Sequence, residues 1–287
     1  MQREIGNPAR ALPSYTWRMG ALVYFDTDVF HRFASTFESC PLPDDLRPKI
    51  LLSPMTMKEV FSHLALVKWG PDIHAQIKGL PNWLGKSARH LPWMTDAMAR
   101  IAFGVPLPDD GFTQGLQDNI NELLNYQLDE VLDAAESLRD ELDKIKKVYA
   151  GYFKDTMDYF SKTLLTEQRF TEVWVNGIKR RLHLENNTTP AAQVVDSLSA
   201  YHEFEFNKLK AAVASKGQYN AQKHRNDLFD AEQLVYLKDP NLHFLVIDQG
   251  YRSRVVKSPL RDRIHQATLD DLEDAGKAES LLRQIAS

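Results

Sequence analysis

The sequence predicts an α/β fold in which a parallel sheet lies between layers of helices. Three short apolar runs, rich in aromatic and β-branched residues, read as strands buried on both faces: Ala21–Phe25, Lys49–Leu52 and His243–Ile247. Helical patterns lie between and after these runs, as expected when helices connect parallel strands. The 287 residues are enough for one large domain, or for one domain that carries an insertion.

Composition excludes several classes of protein. Hydrophobic content of 43% and charged content of 26% are ordinary for a globular chain, and the net charge of −4 gives no overall sign of nucleic-acid binding. Cys40 is the only cysteine, which excludes an internal disulfide and fits a reducing compartment. No apolar stretch approaches the ~20 residues of a membrane span, and the N-terminus lacks the apolar core of a signal peptide. We therefore expect a cytoplasmic protein without membrane contact.

The first predicted strand ends in two carboxylates, Asp26 and Asp28. In open α/β sheets, ligands bind in the crevice beyond the carboxyl ends of the strands. A carboxylate directly after a buried strand loses hydration, so we expect it to have a partner. The simpler alternative is that Asp26 is a turn residue and that Asp28 caps the following helix.

The second strand leads into a helix that carries another acid. Ser53–Pro54 is typical of an N-cap followed by the first helical position. Apolar spacing continues to about Trp69, and Gly70–Pro71 is expected to end the helix. Glu59 lies on this helix, and a capping box with Thr56 is the simpler explanation for it.

A heptad pattern marks the centre of the chain. Apolar or small residues recur at alternating spacings of four and three from Leu124 to Tyr152, with charged or polar residues between them. Such a seam needs a partner helix, in this chain or in another subunit. We therefore expect Leu138 and Leu142 to be buried.

Two further segments extend the helical region. Asn176–Gly177 is a hairpin signal, but the apolar residues around it also form a helical stripe, and we favour a helix because its neighbours are helical. Thr189–Pro190 is expected to begin another helix that runs to about Ser215. Residues 112–216 are thus predicted to be an antiparallel, coiled-coil-like insertion between two parts of the core, 18–111 and 217–287. Such an arm suggests a homodimer or a protein partner.

The α/β pattern returns in the last part of the chain. A helix is predicted over Asn226–Leu237, with Asp227 and Asp230 near its start, and the strand that follows ends at Asp248. The simpler alternatives are that Asp227 is an N-cap and that Asp248 begins a turn. A terminal helix is predicted from Thr268 to Ile285.

Acids from two strand ends and two helices can meet at one edge of the sheet. At an effective dielectric of about 20, two carboxylates about 5 Å apart repel by roughly 3 kcal/mol, so a cluster of four needs a cation. Hard oxygen donors without a cysteine or histidine cluster favour Mg²⁺ or Mn²⁺ over zinc. The acids are Asp26, Glu59, Asp227, Asp230 and Asp248.

Four motifs in chain order resemble those of the PIN-like (PIN domain) metal-dependent nucleases: Phe25–Val29, Leu52–Glu59, Asn226–Leu237 and Phe244–Asp248. The resemblance covers about residues 19–69 and 225–272, and the central helical block lies outside it. It implies a PIN-like core and Mg²⁺- or Mn²⁺-dependent hydrolysis of phosphodiester bonds in RNA or single-stranded nucleic acid, most simply by an endoribonuclease. Many members carry a further acid after the fourth motif, where this chain has Gln249 and Gly250.

The resemblance also assigns roles to residues. Matching the motifs makes Asp26, Glu59, Asp230 and Asp248 catalytic metal ligands, with Asp227 as a further ligand and with Asp28 and Ser53 in support. Lys223, Arg225 and Arg252 flank the acids and are candidate contacts for substrate phosphates. Solvated surface charge is the alternative for these basic residues.

Two other functions are compatible with the sequence. Asp26 and Asp28 after a strand also resemble the nucleophile motif of haloacid-dehalogenase-like phosphatases, with Ser53 as phosphate ligand and Asp248 on Mg²⁺. That alternative leaves the acids on the two helices without a role. The other is a non-enzymatic interaction protein that works through its helical arm.

Overall fold

A computed structural model describes residues 21–85, 89–106, 124–215, 218–221, 224 and 226–287. Within these residues five parallel strands form one sheet in the order β3-β2-β1-β4-β5. The strands are β1 (Leu22–Phe25), β2 (Ile50–Leu52), β3 (Arg89–His90), β4 (Leu242–Val246) and β5 (Ile264–Gln266). The predicted α/β class and the three predicted strands are confirmed. The direction of the strand order reverses between β1 and β4, which is where open α/β sheets form a ligand crevice.

The helices occupy most of the rest of the described chain. They are α1 (Thr27–Thr36), α2 (Pro54–His63), α3 (Gly70–Leu84), α4 (Met94–Phe103), α5 (Leu128–Lys162), α6 (Glu167–Arg181), α7 (Ala191–Ser197), α8 (Ser199–Ala214), α9 (Asp227–Gln233), α10 (Gly250–Arg254), α11 (Leu269–Glu273) and α12 (Ala275–Ile285). Short 3-10 segments lie at Arg47–Lys49, Leu234–Lys238 and Pro259–Arg263. None of the described helices combines the length and the apolar character needed to cross a membrane.

Both faces of the sheet are covered by helices. Alternate strand residues such as Tyr24 and Phe244 pack in one apolar cluster with α4, the second half of α5, and α6 to α9. Their neighbours Phe25 and Leu245 pack in a second cluster with α1, α3, α12 and the first half of α5. Side chains alternate between the two faces of a strand, so each strand contributes to both clusters. The result is three layers.

The central helices belong to the layers that cover the sheet. Leu142 on α5 is 2% exposed and Leu138 is partly buried, so the predicted burial of the heptad seam is confirmed. The partner helices lie in the same chain, because α5 packs against α2 and α8. Tyr152, the last predicted seam residue, is half exposed, and the apolar stripe continues in another phase from Phe153.

One predicted helix boundary is wrong. Helix α2 ends at His63 instead of reaching Trp69, and Gly70–Pro71 begins α3 rather than ending α2. A Cβ atom at Gly70 would lie 2.4 Å from the backbone oxygen of Leu64, so only glycine fits at this close approach. Proline is tolerated in the first turn of a helix because its missing N–H has no partner there in any case.

Two segments that the sequence predicts as single helices are each divided in two. Leu198 has non-helical dihedral angles and separates α7 from α8. Asp274 is extended, and its side chain accepts a hydrogen bond from the N–H of Lys277 at 2.8 Å, which begins α12 after α11. The segment around Asn176–Gly177 is helix α6, so the preference for a helix over a hairpin is confirmed.

Burial of α5 leads to a stability prediction. Truncating Leu142 to alanine is expected to lower the free energy of unfolding by about 2–4 kcal/mol, because it removes a packed side chain and leaves a cavity. Val148 on the same helix is 74% exposed. Its replacement by alanine is expected to change stability by less than about 0.5 kcal/mol. Urea unfolding of both variants measures the difference, and equal effects would contradict the packing of α5.

Candidate functional site

The carboxyl ends of β1 and β4 lie side by side. The backbone N–H of Asp26, which follows β1, donates to the oxygen of Leu245 on β4 at 3.4 Å. Asp248 follows β4 two residues beyond its end. The two strand-end acids therefore lie at the same edge of the sheet, at the point where the strand order reverses.

Hydrogen bonds to β1 position the two helices that carry the other acids. The hydroxyl of Thr56 in α2 donates to the backbone oxygen of Phe25 at 2.9 Å. The hydroxyl of Tyr24 donates to the backbone oxygen of Gln233, at the end of α9, at 2.8 Å. Because both bonds involve buried groups, the start of α2 and the end of α9 are fixed relative to the strand that ends in Asp26.

Asp26 is a buried carboxylate that caps a helix. It is 8% exposed, and its Oδ1 accepts a hydrogen bond from the N–H of Val29 at 2.9 Å, at the start of α1. Burial raises the pKa of Asp26 to about 7; the bond from Val29 opposes this, and the charges of Asp28, Glu59 and Asp248 add to it. The simpler alternative, in which Asp28 caps the helix and Asp26 is a turn residue, is therefore wrong. Asp26 is the cap of α1, and Asp28 lies exposed in the first turn.

Asp230 is the second acid whose protonation is strongly perturbed. Burial holds the pKa of Asp230 well above its usual range, and the charges of Glu59, Asp227 and Asp26 raise it further. The buried hydroxyl of Tyr251 interacts with this carboxyl group and lowers the pKa, without the geometry of a strict hydrogen bond. The charges of Glu59 on α2, Asp230 on α9 and Asp26 at the end of β1 therefore act on one another in the crevice.

Glu59 connects these acids to the long helix. Its Oε2 accepts a hydrogen bond from the hydroxyl of Thr27 at 2.7 Å, and its Oε1 lies 3.1 Å from the ammonium nitrogen of Lys146 on α5. The ammonium group also lies 5.1 Å from the ring centroid of Phe229. Helix α2 begins after Ser53, so the capping box proposed for Glu59 is wrong.

Asp227 differs from the other acids because basic side chains already neutralise it. Its Oδ2 lies 3.2 Å from a guanidinium nitrogen of Arg254 and 3.6 Å from the ammonium nitrogen of Lys208. Lys208 is buried and also donates to the hydroxyl of Tyr149 at 2.6 Å. Asp227 therefore connects α9 to α8 and α10, and it acts on the crevice through its effect on the pKa of Asp230.

Two further predicted residues have contrasting surroundings. Asp248 is exposed, and its Oδ1 accepts a hydrogen bond from the N–H of Gly250 at 2.6 Å, as in the turn that the simpler alternative describes. Ser53 occupies the predicted N-cap position but is fully buried, and its hydroxyl caps no backbone N–H. Asp248 is accessible to a ligand from solvent, whereas Ser53 is not.

Of the three predicted basic residues, only Arg252 lies within the described part of the chain. Arg252 on α10 is partly buried, and its charge acts on His265 of β5, whose pKa is lowered to about 4 by burial, by His243 and by Arg252. The predicted contacts Lys223 and Arg225 lie outside the described residues.

Several residues of the crevice were not predicted. Lys146 lies on α5, in the predicted helical arm, and Thr27 lies between Asp26 and Asp28 in the sequence. His31 on α1 and His63 on α2 are 3.2 Å apart, Nε2 to Nδ1, and burial lowers the pKa of both rings while the charges of nearby carboxylates oppose this. The only sequence signal for this pair was the four-residue spacing between Glu59 and His63.

The chemistry of the donor set fits a hard divalent cation. Asp26, Asp230 and Glu59 supply oxygen ligands in a crevice where their charges act on one another, and a cation would relieve this repulsion. As the side chains stand, no three histidine, cysteine or acidic side chains among the described residues are grouped closely enough to bind a metal.

Comparisons with known proteins add no assignment. No protein-family model, no curated protein and no solved structure matches this chain significantly.

Proposed function

We propose that this chain is a divalent-metal-dependent nuclease with a PIN-like core, which hydrolyses phosphodiester bonds of RNA or single-stranded nucleic acid. One observation carries the proposal: Asp26, Glu59 and Asp230 come from a strand end and two helices, yet their charges act on one another at the reversal of the strand order. Asp248 follows the neighbouring strand at the same edge.

Buried carboxylates at this position destabilise the fold unless they have a partner. The pKa values of Asp26 and Asp230 are both raised, because burial and neighbouring acids disfavour the charged forms of these side chains. Such strongly perturbed groups in a crevice are typical of functional sites. A cation at this edge of the sheet accounts for all of them together.

Mg²⁺ or Mn²⁺ bound by Asp26, Glu59, Asp230 and Asp248 would supply an activated water and stabilise the charge that develops on the scissile phosphate. The residues of the chain orient these ligands. The hydrogen bond from the N–H of Val29 fixes Asp26, and the hydrogen bond from the hydroxyl of Thr27 fixes one oxygen of Glu59. Helix α5 packs against α2 and closes that side of the crevice.

The two other functions have weaker support. The phosphatase alternative needs Ser53 as a phosphate ligand, but Ser53 is fully buried and has no access from solvent. The interaction alternative needs a free heptad seam, but Leu142 and its neighbours pack inside the same chain. Neither alternative explains why the charges of Asp26, Glu59 and Asp230 act on one another.

The direct test is a cleavage assay on a mixed panel of RNA and single-stranded DNA. We expect the purified protein to cut one or more substrates with Mn²⁺ or Mg²⁺ and to lose this activity in EDTA. A generic phosphomonoester is the control, because a phosphatase would hydrolyse it and a nuclease would not. Absence of cleavage across the whole panel with Mn²⁺ would contradict the proposal.

A further inference from the structure

Helix α5 carries exposed apolar side chains on the side opposite the one that packs against α2 and α8. Val148 is 74% exposed, Tyr152 is 50% exposed and Tyr159 is 51% exposed. Intervals of four and seven residues place these side chains in one line along the helix. With the residues between and before them they form the outer row of α5: Lys144, Val148, Gly151, Tyr152, Asp155 and Tyr159. The outer row is therefore separate from the buried side of the helix.

Tyr152 is held in place although half of it is exposed. A Cβ atom at Gly177 of α6 would lie 2.8 Å from the hydroxyl oxygen of Tyr152, so this hydroxyl fills the space beside the glycine. An aromatic side chain that is already fixed loses little conformational entropy when a partner covers it. The outer row therefore offers an aromatic side chain that is preorganised for contact.

Gly151 is an unusual residue for its position. It lies inside a helix of 35 residues, where glycine is disfavoured because it loses the most conformational freedom on folding. In the described chain the glycines with positive φ are Gly85 and Gly104, and a Cβ atom at Gly151 would meet no described atom within 4 Å. Packing among the described residues thus gives no reason for a glycine at 151, whereas the close approach of a second helix does.

The charges of the outer row are complementary to those of a second copy that runs in the opposite direction. Lys144 and Asp155 are exposed, and neither forms an ion pair with another described residue. When two copies of α5 pack antiparallel with their midpoint between residues 149 and 150, Lys144 faces Asp155 of the second copy at both ends. The same register places Val148 against Gly151 of the second copy at the centre. A parallel pair would instead bring like charges together at both positions.

We propose that the outer row of α5 is a homodimer interface in which two copies of the helix pack antiparallel. This register brings Glu141 towards Asp158 of the second copy, but Glu141 is already paired with Lys58 at 2.9 Å. A nucleic acid fits the row less well than a second copy does, because the carboxylate of Asp155 would repel its phosphates. The interface is independent of the proposed nuclease chemistry.

Sedimentation velocity from about 1 to about 200 µM measures the association. We expect a reversible dimer with a Kd in the tens of micromolar, because one helix pair buries less than the roughly 800 Å² per partner of a standard interface. Lys144→Glu and Asp155→Lys should each weaken the dimer at least about tenfold, since the two-fold axis creates two like-charge pairs from one substitution. Lys154→Glu makes the same charge change as Lys144→Glu outside the outer row, and it should alter the Kd by less than about twofold.

Mixing Lys144→Glu with Asp155→Lys tests the register itself. In the mixed pair the two substituted side chains face each other at one end and the two original ones at the other, so opposite charges meet at both. We expect the mixture to form a heterodimer about as tight as the original homodimer, although neither variant associates well alone.

Gly151→Ala separates the interface from folding. Alanine favours the helix, so urea unfolding at about 1 µM, where the protein is monomeric, should give a higher midpoint. The dimer should nevertheless be weaker, because the added methyl group lies where the two helices approach. A chain that stays monomeric at about 200 µM, a dimer that both charge changes leave intact, a mixture that does not associate, or an unweakened Gly151→Ala dimer would each overturn the inference. Cleavage of nucleic acid is measured separately, so these outcomes leave the proposed nuclease unaffected.

Discussion

Replacing Asp230 by asparagine is expected to reduce the cleavage rate by about three orders of magnitude or more. The amide has nearly the same shape as the carboxyl group but cannot supply a negative oxygen to the cation. A metal in such a site contributes several kcal/mol to the transition state, and each tenfold in rate corresponds to about 1.4 kcal/mol. Single-turnover cleavage with saturating Mn²⁺ measures the effect, and calorimetry reports the accompanying loss of Mn²⁺ affinity.

Asp28 provides the matched control for this experiment. It lies in the first turn of α1, where its charge raises the pKa of Asp26, but its own side chain is exposed. We expect Asp28→Asn to retain activity within about threefold, because an exposed carboxylate outside the ligand set contributes little. The phosphatase alternative makes Asp28 the general acid and base and leaves Asp230 without a role. Loss of activity in Asp28→Asn with full activity in Asp230→Asn would therefore favour that alternative.

The acids could be predicted because strong local signals place them. Asp26 and Asp248 follow apolar runs that have no plausible structure other than a buried strand, and parallel strands bring their carboxyl ends to one edge. Strands β3 and β5 could not be predicted in the same way. Arg89–His90 contains no apolar residue, and Ile264–Gln266 contains one, so both are strands only because a neighbouring strand pairs with them.

The partners of the acids depend on tertiary packing and were not predictable. Lys146 is one of several lysines in the second half of α5, and only the crossing of α5 over α2 selects it as the partner of Glu59. Gly70 shows the same limit at a helix boundary. A glycine followed by a proline reads locally as a stop, whereas here Gly70 begins α3, and the close approach of the Leu64 backbone oxygen requires a glycine at this position.

The periodicity of α5 correctly predicted burial but did not identify what covers the seam. A heptad pattern states that one face of a helix is apolar, and that face packs equally well on another helix or on the layer that covers a sheet. The apolar residues of α5 up to Leu138 join the cluster of Phe25, and those from Leu142 onward join that of Tyr24. The predicted arm therefore provides much of the packing on the sheet itself.

The metal-free protein is expected to lose stability as the pH rises from about 4 to about 7, and Asp26→Asn should remove much of this loss. In the folded chain burial raises the pKa of Asp26 from 3.8 to about 7, so the folded state keeps a proton that the unfolded state has released. Between these values the folded state binds more protons, and stability therefore falls as the pH rises. The effect above pH 7 is at most about 4 kcal/mol.

Asparagine suits this experiment because it caps helices as well as aspartate does, so the bond from Val29 to residue 26 is kept. Urea unfolding in EDTA at about pH 4.5 and about pH 7.5 should give similar stabilities at the lower pH and a more stable variant at the higher pH. Asp45→Asn is the control, because the pKa of Asp45 is shifted in the opposite direction: the hydrogen bond from Arg283 lowers it. It should gain no stability at the higher pH.

Adding Mn²⁺ at the higher pH should make the original protein more stable than Asp26→Asn, which is the reverse of the order expected in EDTA. A cation that binds only the folded state stabilises it more when it binds more tightly, and the original protein has the complete set of carboxylates. The same charge that destabilises the metal-free fold would then stabilise the metal-bound one. Equal pH dependence in the original protein and in Asp26→Asn would mean that Asp26 does not carry this charge. A variant that remains the more stable of the two with Mn²⁺ present would mean that the acids hold no cation.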